Sequence, residues 1–400
     1  MELPAATNEP LGGEPPAGPS IGRVHLPAAM CPHGIGGPTP VAVRPDGVFD
    51  LSGVAPTVAD LLDRTDIAEL AATDTLPRLA SLTDAIAGSH PSRRGPDTLH
   101  FLSPIDLQVV KACGVTFAVS ALERVIEERS RGDAGRSAEL RARLRAKIGG
   151  DLQLVVPGSE AAAALKAQLI VEGLWSQYLE VAIGPDAEVF TKAPVLSTVG
   201  TGDHVGVRRA SAWNNPEPEV VLVVDSRNRI VGATLGNDVN LRDFEGRSAL
   251  LLGEAKDNTA SAAIGPWICL FEDRTGGFTL DALMATEVAL RVVGDDGLDL
   301  HGENRLAEIS RRPEDLVRQV GAESHRYPDG YALFLGTMYV PTIDRLTPGG
   351  GFTHRLGDRV EIQSPHLGRL TNWVGISEEL PPWTLGIRGL WANLRARGLA

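Results

Sequence analysis

The segment that most restricts what this chain can fold into is an apolar run with two glutamates at its mouth, Trp213-Asn-Asn-Pro-Glu-Pro-Glu-Val-Val-Leu-Val-Val-Asp225. The chain then returns as Ile230-Val-Gly-Ala-Thr-Leu-Gly-Asn-Asp238. The two stretches read as the strands of a hairpin. Alternate residues of a strand share a face, so Glu217 and Glu219 point the same way. A turn centred between Arg227 and Asn228 sets Asp238 opposite Glu217, with loop length alone fixing the register. Three carboxylates then meet at one end of the hairpin, and that density of negative charge calls for a divalent cation. Oxygen-only donors suit a hard ion, Mg²⁺ or Mn²⁺. A Glu-x-Glu pair is also ordinary decoration on a solvated strand end, so spacing alone supports either reading.

The rest of the chain fits a soluble globular protein. Its 400 residues allow a large core or two domains. Hydrophobic residues make up 43% and charged residues 22%, and 44 glycines with 28 prolines favour a loop-rich or β-rich protein over a helical bundle. The net charge of −13 argues against a nucleic-acid partner, which needs a basic face. Cys31, Cys113 and Cys269 lack the paired spacing of a zinc knuckle or a disulfide framework, so a reducing compartment is expected. The N-terminus has neither a basic nor an apolar leader region, and no apolar run approaches a membrane span. A cytoplasmic location with no membrane partner is the expectation.

Residues 1–20 are rich in Pro, Gly, Ala and Glu and read as a disordered tail. Residues 21–100 read as a small α+β N-terminal domain. Its strands are expected at Val41–Val43 and Gly47–Leu51, and its helices at Thr57–Asp63 and Leu76–Ile86. Leu102–Gly114 reads as a strand that opens a catalytic domain over 101–400. Lid helices are expected over about 115–180. Val115, Val119, Leu122, Val125 and Ile126 carry helical spacing, and Ser120 and Glu123 share another face. A charged break at Arg129–Arg136 precedes a second helix. Beyond Pro185 the pattern is β-rich to Val374, and a C-terminal amphipathic helix follows Ile387.

Four further candidates stand beside the acidic triad. Lys256 lies in a segment of small residues; a triad holding Mg²⁺ and a carboxylate ligand would need such a cation for neutrality, although a surface lysine is an equal reading. Glu188, Phe190 and Lys192 share a strand face, as a catalytic pair or as a salt bridge across that face. Gly336-Thr337 closes the strand Tyr331–Leu335 and offers donors to a carboxylate, or is an ordinary turn. No Gly-x-Ser-x-Gly elbow and no phosphate loop appears.

In order, these segments resemble the fumarylacetoacetate hydrolase superfamily. The matching pieces are Phe190-Thr-Lys192, Pro216-Glu-Pro-Glu219, Gly236-Asn-Asp-Val-Asn-Leu-Arg-Asp243, Lys256 with Ile264-Gly-Pro-Trp267, Gly336-Thr337, Leu356-Gly-Asp358 and Leu367-Gly-Arg-Leu370, together covering about residues 102–374. The resemblance implies an α+β protein with a mixed β-sandwich roll as its catalytic domain. It implies that Glu217, Glu219 and Asp238 bind Mg²⁺ or Mn²⁺, that Lys256 faces the substrate, and that the chain forms a homodimer or homotetramer.

Hydrolases, decarboxylases and dehydratases all occur in this superfamily. The C–C hydrolases carry an Asn-Tyr-x-x-His-x-x-Glu lid helix whose His–Glu dyad activates water. Here the stretch is Thr116-Phe-Ala-Val-Ser-Ala-Leu-Glu123, with Ser120 where the histidine stands. Serine cannot serve as a base near neutral pH. The lid, and the stretch Gly173–Glu188, instead resemble those of the superfamily's sugar-acid dehydratases. That implies a small 2-keto sugar acid as ligand, a 2-keto-3-deoxy pentonate, with Glu188 and Lys256 catalytic and no redox cofactor. Gly114, Thr116, Ser120, Lys192, Gly336 and Thr337 are the expected substrate contacts. A metal-dependent hydrolase or decarboxylase of acylpyruvates or oxalo acids is the alternative.

Overall fold

The computed structural model describes Leu11, residues 18–131, 155–272 and 277–337, Tyr339, and residues 341–400. In chain order its strands are β1 (Ser20–Leu26), β2 (Gly37–Arg44), β3 (Gly47–Asp50), β4 (Arg78–Ala80), β5 (His100–Phe101), β6 (Val109–Gly114), β7 (Glu188–Ala193), β8 (His204–Val207) and β9 (Asn214–Asn215). They continue with β10 (Pro218–Val224), β11 (Ile230–Asp238), β12 (Asn240–Leu241), β13 (Ala262–Leu270), β14 (Glu287–Val293), β15 (Asp299–Arg305), β16 (Tyr331–Phe334), β17 (Arg359–Ser364) and β18 (Gly368–Ile376).

The hairpin β10–β11 lies at the centre of the larger sheet, whose order is β4-β3-β2-β1-β13-β11-β10-β16-β6-β7, with β5 also on β1. Its pairing is antiparallel except between β16 and β6. A second sheet, β15-β14-β17-β18-β8, packs across β10, β11 and β13. This explains the unbroken apolar run. Val220, Leu222 and Val224 enter the core between the sheets with Leu290, Val292, Val360 and Ile362. Val221 and Val223 enter a second core on the opposite face, with Val110, Ile264 and Phe334. A strand buried on both faces loses the polar alternation of a half-exposed one.

The expected register holds. Pro218 pairs with Asn237, Glu219 with Gly236, and the ladder runs on to Val223 with Gly232. It shifts by one at the tip, where Val224 meets Ile230 and Asn228 takes a left-handed conformation. Asparagine tolerates that region better than most residues. The bulge restores the pairing at the mouth, because the register of Val224 with Ile230, carried down the ladder, would set Asn237 opposite Glu217 in place of Asp238.

Two local expectations need correction. Leu76–Ile86 is not one helix: Arg78–Ala80 forms β4, and the helix runs Leu82–Gly88. Ser81 caps it by accepting the Asp84 N–H, which fixes the start there. Within Leu102–Gly114, only Val109–Gly114 is strand. The preceding loop sends the buried Asp106 carboxylate to cap the N-terminus of helix Val58–Leu62, at 2.6 Å from Val58 N and 3.1 Å from Ala59 N.

The tail expected over residues 1–20 lies largely outside the described residues, and its last residue opens β1. β1 pairs with β13, so the N-terminal strands continue the sheet that carries the hairpin. The lid helix runs Ala118–Ser130, and the second helix expected after Arg136 lies outside the described residues. Leu122, Val125 and Ile126 of the lid helix pack on Leu165, Leu169, Leu179 and Ile183 from helices Glu160–Val171 and Gln177–Ile183. Each such buried side chain contributes roughly 1.5–3 kcal/mol. The C-terminal helix, Ile387–Ala396, buries Leu390 and Leu394 beside Leu196. The three cysteines are buried and unpaired. Among the described residues, no helix is long and apolar enough to cross a membrane.

Candidate active site

Glu217, Glu219 and Asp238 converge at the mouth of the hairpin, each offering a carboxylate oxygen within 4.8 Å of the others. All three are buried. Asp238 N donates to the Glu217 carbonyl at 3.1 Å, which locks the two strands at this level. Glu219 is held from the other side, where the Gly336 N–H donates to Oε2 at 2.6 Å. Gly336 has φ of +91°, and a Cβ there would lie 2.1 Å from Thr116 Oγ1, so this backbone donor requires glycine.

Two buried lysines flank the triad differently. Lys256 ends the helix Leu252–Lys256 and places Nζ 2.6 Å from Glu217 Oε2 and 3.1 Å from Asp238 Oδ2. Nζ also lies 6.0 Å from the centre of the Phe190 ring. Lys192 is fully buried behind Asp238, with Nζ 2.9 Å from Oδ1 and donating to the carbonyls of Val239 and Lys256. It sits at a β-bulge where β7 shifts register against β6. Lys192 thereby ties Asp238 to the end of the Lys256 helix.

Glu188 approaches from β7. Its carboxylate rests over Gly114, where a Cβ would come within 2.0 Å of Oε2. Arg311 donates to the carbonyls of Val181, Gly184, Pro185 and Asp186, and so fixes the segment that leads into Glu188. The other predicted contacts have local partners. Thr116 Oγ1 donates to Leu335 O at 2.6 Å, Thr337 Oγ1 to Tyr339 O at 3.2 Å, and Ser120 Oγ to Phe117 O at 2.9 Å in the first turn of the lid helix.

Sequence reasoning missed Arg124 and Glu245. Arg124 reaches down from the lid helix, with Nη2 2.7 Å from Glu217 Oε1 and Nη1 2.7 Å from Glu245 Oε2. Ninety-three positions separate Arg124 from Glu217, and nothing in either local pattern signals the pairing.

The electrostatics fit a divalent cation. Five carboxylates (Glu188, Glu217, Glu219, Asp238, Glu245) face three cations (Lys192, Lys256, Arg124), so full ionisation leaves two negative charges uncompensated. Burial, then Asp238 and Glu217, push the Glu219 carboxyl well above the usual range. Burial is also the main cause of the raised Glu188 carboxyl, which Arg124 and Lys256 oppose. For Asp238, burial is outweighed by Lys192 and Lys256, which hold it below the usual range. Burial works against the charge of Lys256 too, but Asp238, Glu217 and Glu245 prevail and keep it protonated. Glu219 is thus the carboxyl of the triad that ionises least readily without added positive charge nearby.

The sign of this effect can be tested. A carboxyl raised by folding stabilises the fold below the ordinary glutamate range, and that contribution is lost as pH rises toward its folded value. In chelator, Glu219→Gln should therefore gain on the wild type in Tm as pH climbs from about 5, the region above the ordinary carboxylate pKa. Mg²⁺ should raise the wild-type Tm and leave the variant nearly unmoved. A Tm difference that is flat with pH would contradict the assignment.

With the site in view, the chain can be compared with known proteins. No family model matches it. It is 34% identical over 197 residues to a probable 2-keto-3-deoxyxylonate dehydratase of Haloferax volcanii, a match covering 49% of this chain and 63% of that one. It is 31% identical over 158 residues to a 2-dehydro-3-deoxy-D-arabinonate dehydratase of Saccharolobus solfataricus, covering 40% and 51%. The chain spans less than two thirds of the length of either relative. Among solved structures, a 2-keto-3-deoxy-D-arabinonate dehydratase complexed with magnesium and 2,5-dioxopentanoate superposes with TM-score 0.58 at 20% identity, covering 89% of this chain and 99% of that one. A fumarylacetoacetate hydrolase from psychrophilic Exiguobacterium antarcticum superposes with TM-score 0.51 at 15% identity, covering 90% and 99%. This chain has the fumarylacetoacetate hydrolase fold. In sequence it resembles the 2-keto-3-deoxy pentonate dehydratases. The α+β class and the mixed sheets agree with that fold, and in this chain the acidic triad sits at the mouth of the central hairpin.

Proposed function

We propose that this protein is a Mg²⁺-dependent dehydratase that converts a 2-keto-3-deoxy pentonate, 2-keto-3-deoxy-D-xylonate, into 2,5-dioxopentanoate. Mn²⁺ would serve the same ligands. The observation that carries this reading is Lys256 Nζ, buried within 3.1 Å of two carboxylates of a three-carboxylate cluster. The names of the curated relatives support it.

Glu217, Glu219 and Asp238 would hold the cation. Bound there, it supplies a Lewis acid for the keto acid's oxygens and offsets the negative charge that otherwise holds Lys256 protonated. Lys256, in its neutral form, would accept a proton from C3 and, once charged, would stand beside the developing enolate. Glu188, its carboxyl raised by burial, would be the acid that gives a proton to the hydroxide leaving C4. Loss of water gives a conjugated enone, and proton transfers through the C5 enol yield the aldehyde. Gly114 leaves room for Glu188, and Gly336 fixes Glu219.

The lid supports elimination over hydrolysis. Ser120 bonds within its own turn, and Glu123 lies 3.8 Å from Arg242. Ser120 occupies the position at which the C–C hydrolases carry the histidine that activates water. A side-by-side assay with 2-keto-3-deoxy-D-xylonate and an acylpyruvate, read by mass spectrometry, tests the reading. The expected result is loss of water from the first and no reaction of the second. Water gain and C–C cleavage of the acylpyruvate would overturn it.

A further inference from the structure

The register that brings the carboxylates together continues beyond them. Asn215 pairs with Asn240, and Asn214 with Leu241, on the same count that pairs Pro218 with Asn237. Alternation therefore places Asn215 and Asn240 on the face of Glu217 and Asp238, one same-face step further out. The opposite face is accounted for. Val239 and Leu241 enter the core between the sheets, and Asn214 Oδ1 accepts the His354 N–H at 3.1 Å.

Asn215 and Asn240 are completely buried. Asn215 Nδ2 donates to Pro216 O at 2.9 Å. Asn215 Oδ1 and both polar atoms of Asn240 have no hydrogen-bond partner among the described residues. Amides buried in this state are costly, and a ligand that completes them removes the cost. The next same-face step closes the row: the Arg242 guanidinium lies 4.3 Å over the Trp213 ring, donates to Pro341 O, and faces Glu123 of the lid helix. The asparagine pair thus lies between the acidic triad and a closed end, under the lid.

Two residues along a strand span about 7 Å, close to the length of a five-carbon acid. An amide offers a donor and an acceptor together, which matches a hydroxyl and does not match a carboxylate. We propose that Asn215 and Asn240 form the subsite for the terminal hydroxyl of the substrate, with the acid end at the carboxylate triad. The identity of the acid rests on the dehydratase reading; the placement of the subsite does not.

The test compares 2-keto-3-deoxy-D-xylonate with 4-hydroxy-2-oxopentanoate, which lacks only the C5 hydroxyl. Turnover and calorimetric binding with Mg²⁺ are measured for the wild type, Asn240→Leu and Asn215→Leu, with Tm as a fold control. The wild type should prefer the pentonate. Each variant should lose about tenfold or more in kcat/KM and in affinity for the pentonate, and change less than about threefold for the deoxy acid, the scale set by one unmade buried hydrogen bond. Equal losses for both acids, or none, would overturn the subsite and leave the amides as structural groups or hosts of a trapped water. A wild type that binds the pentonate preferentially without dehydrating it would refute the dehydratase reading and retain the subsite. A wild type that binds neither acid refutes both.

Discussion

Lys256→Met is expected to bind the keto acid and to lose about 10²–10⁴-fold in kcat, the range typical of a positioned proton-transfer group. The loss should fall on kcat more than on KM, because the triad that would hold the cation and the acid is intact. A stability effect accompanies it. Lys256 is one of the cations that neutralise Glu217 and Asp238, and taking one partner from a buried ionic cluster costs up to about 3–5 kcal/mol. Lys192 and Arg124 remain, which keeps the loss below that ceiling. Added Mg²⁺ should recover most of the lost Tm and none of the lost turnover. Near wild-type kcat would remove Lys256 from the reaction.

Glu217→Ala should weaken Mg²⁺ binding beyond the roughly 10–100-fold that loss of an outer-sphere partner costs. Glu217, like Asp238, is held by two cations, with Lys256 on one oxygen and Arg124 on the other. Removing it would take away a proposed ligand and leave Lys256 and Arg124 with one carboxylate fewer between them. Both effects oppose cation entry. An unchanged Mg²⁺ titration would show that the triad does not bind as a unit. Arg124 adds a corollary, since it ties the lid helix to the same carboxylate. In Glu217→Ala the lid loses that tie and keeps the one from Arg124 to Glu245.

Much of this site could be read from sequence because its central parts are local. Three carboxylates lie on one hairpin, where the turn and the bulge beside it together pair Glu217 with Asp238. Glu188 and Lys192 share a strand face through simple alternation, even though the β-bulge at Lys192 shifts the pairing with β6. The rest depends on chain returns that leave no local trace. The Arg124–Glu217 pair, the Gly336 N–H on Glu219 and the Arg311 clamp on the segment before Glu188 each join residues far apart in sequence. The two misread segments fail for a related reason. Arg78–Ala80 is a strand because β3 lies beside it, and the loop before Val109 is irregular because Asp106 serves a helix elsewhere. The Asn215/Asn240 pair was within reach of the same register argument that placed the triad. Its importance appears only when burial shows that its amides have no partner.

We propose that this acidic hairpin mouth uses a divalent cation to remove water from a 2-keto sugar acid. The most direct test incubates the purified protein with 2-keto-3-deoxy-D-xylonate after exhaustive chelation and again after Mg²⁺ is restored, and reads the product mass. No product is expected in chelator, and with Mg²⁺ a product one water lighter that matches 2,5-dioxopentanoate. Full turnover in chelator, or cleavage to pyruvate and glycolaldehyde, would contradict it.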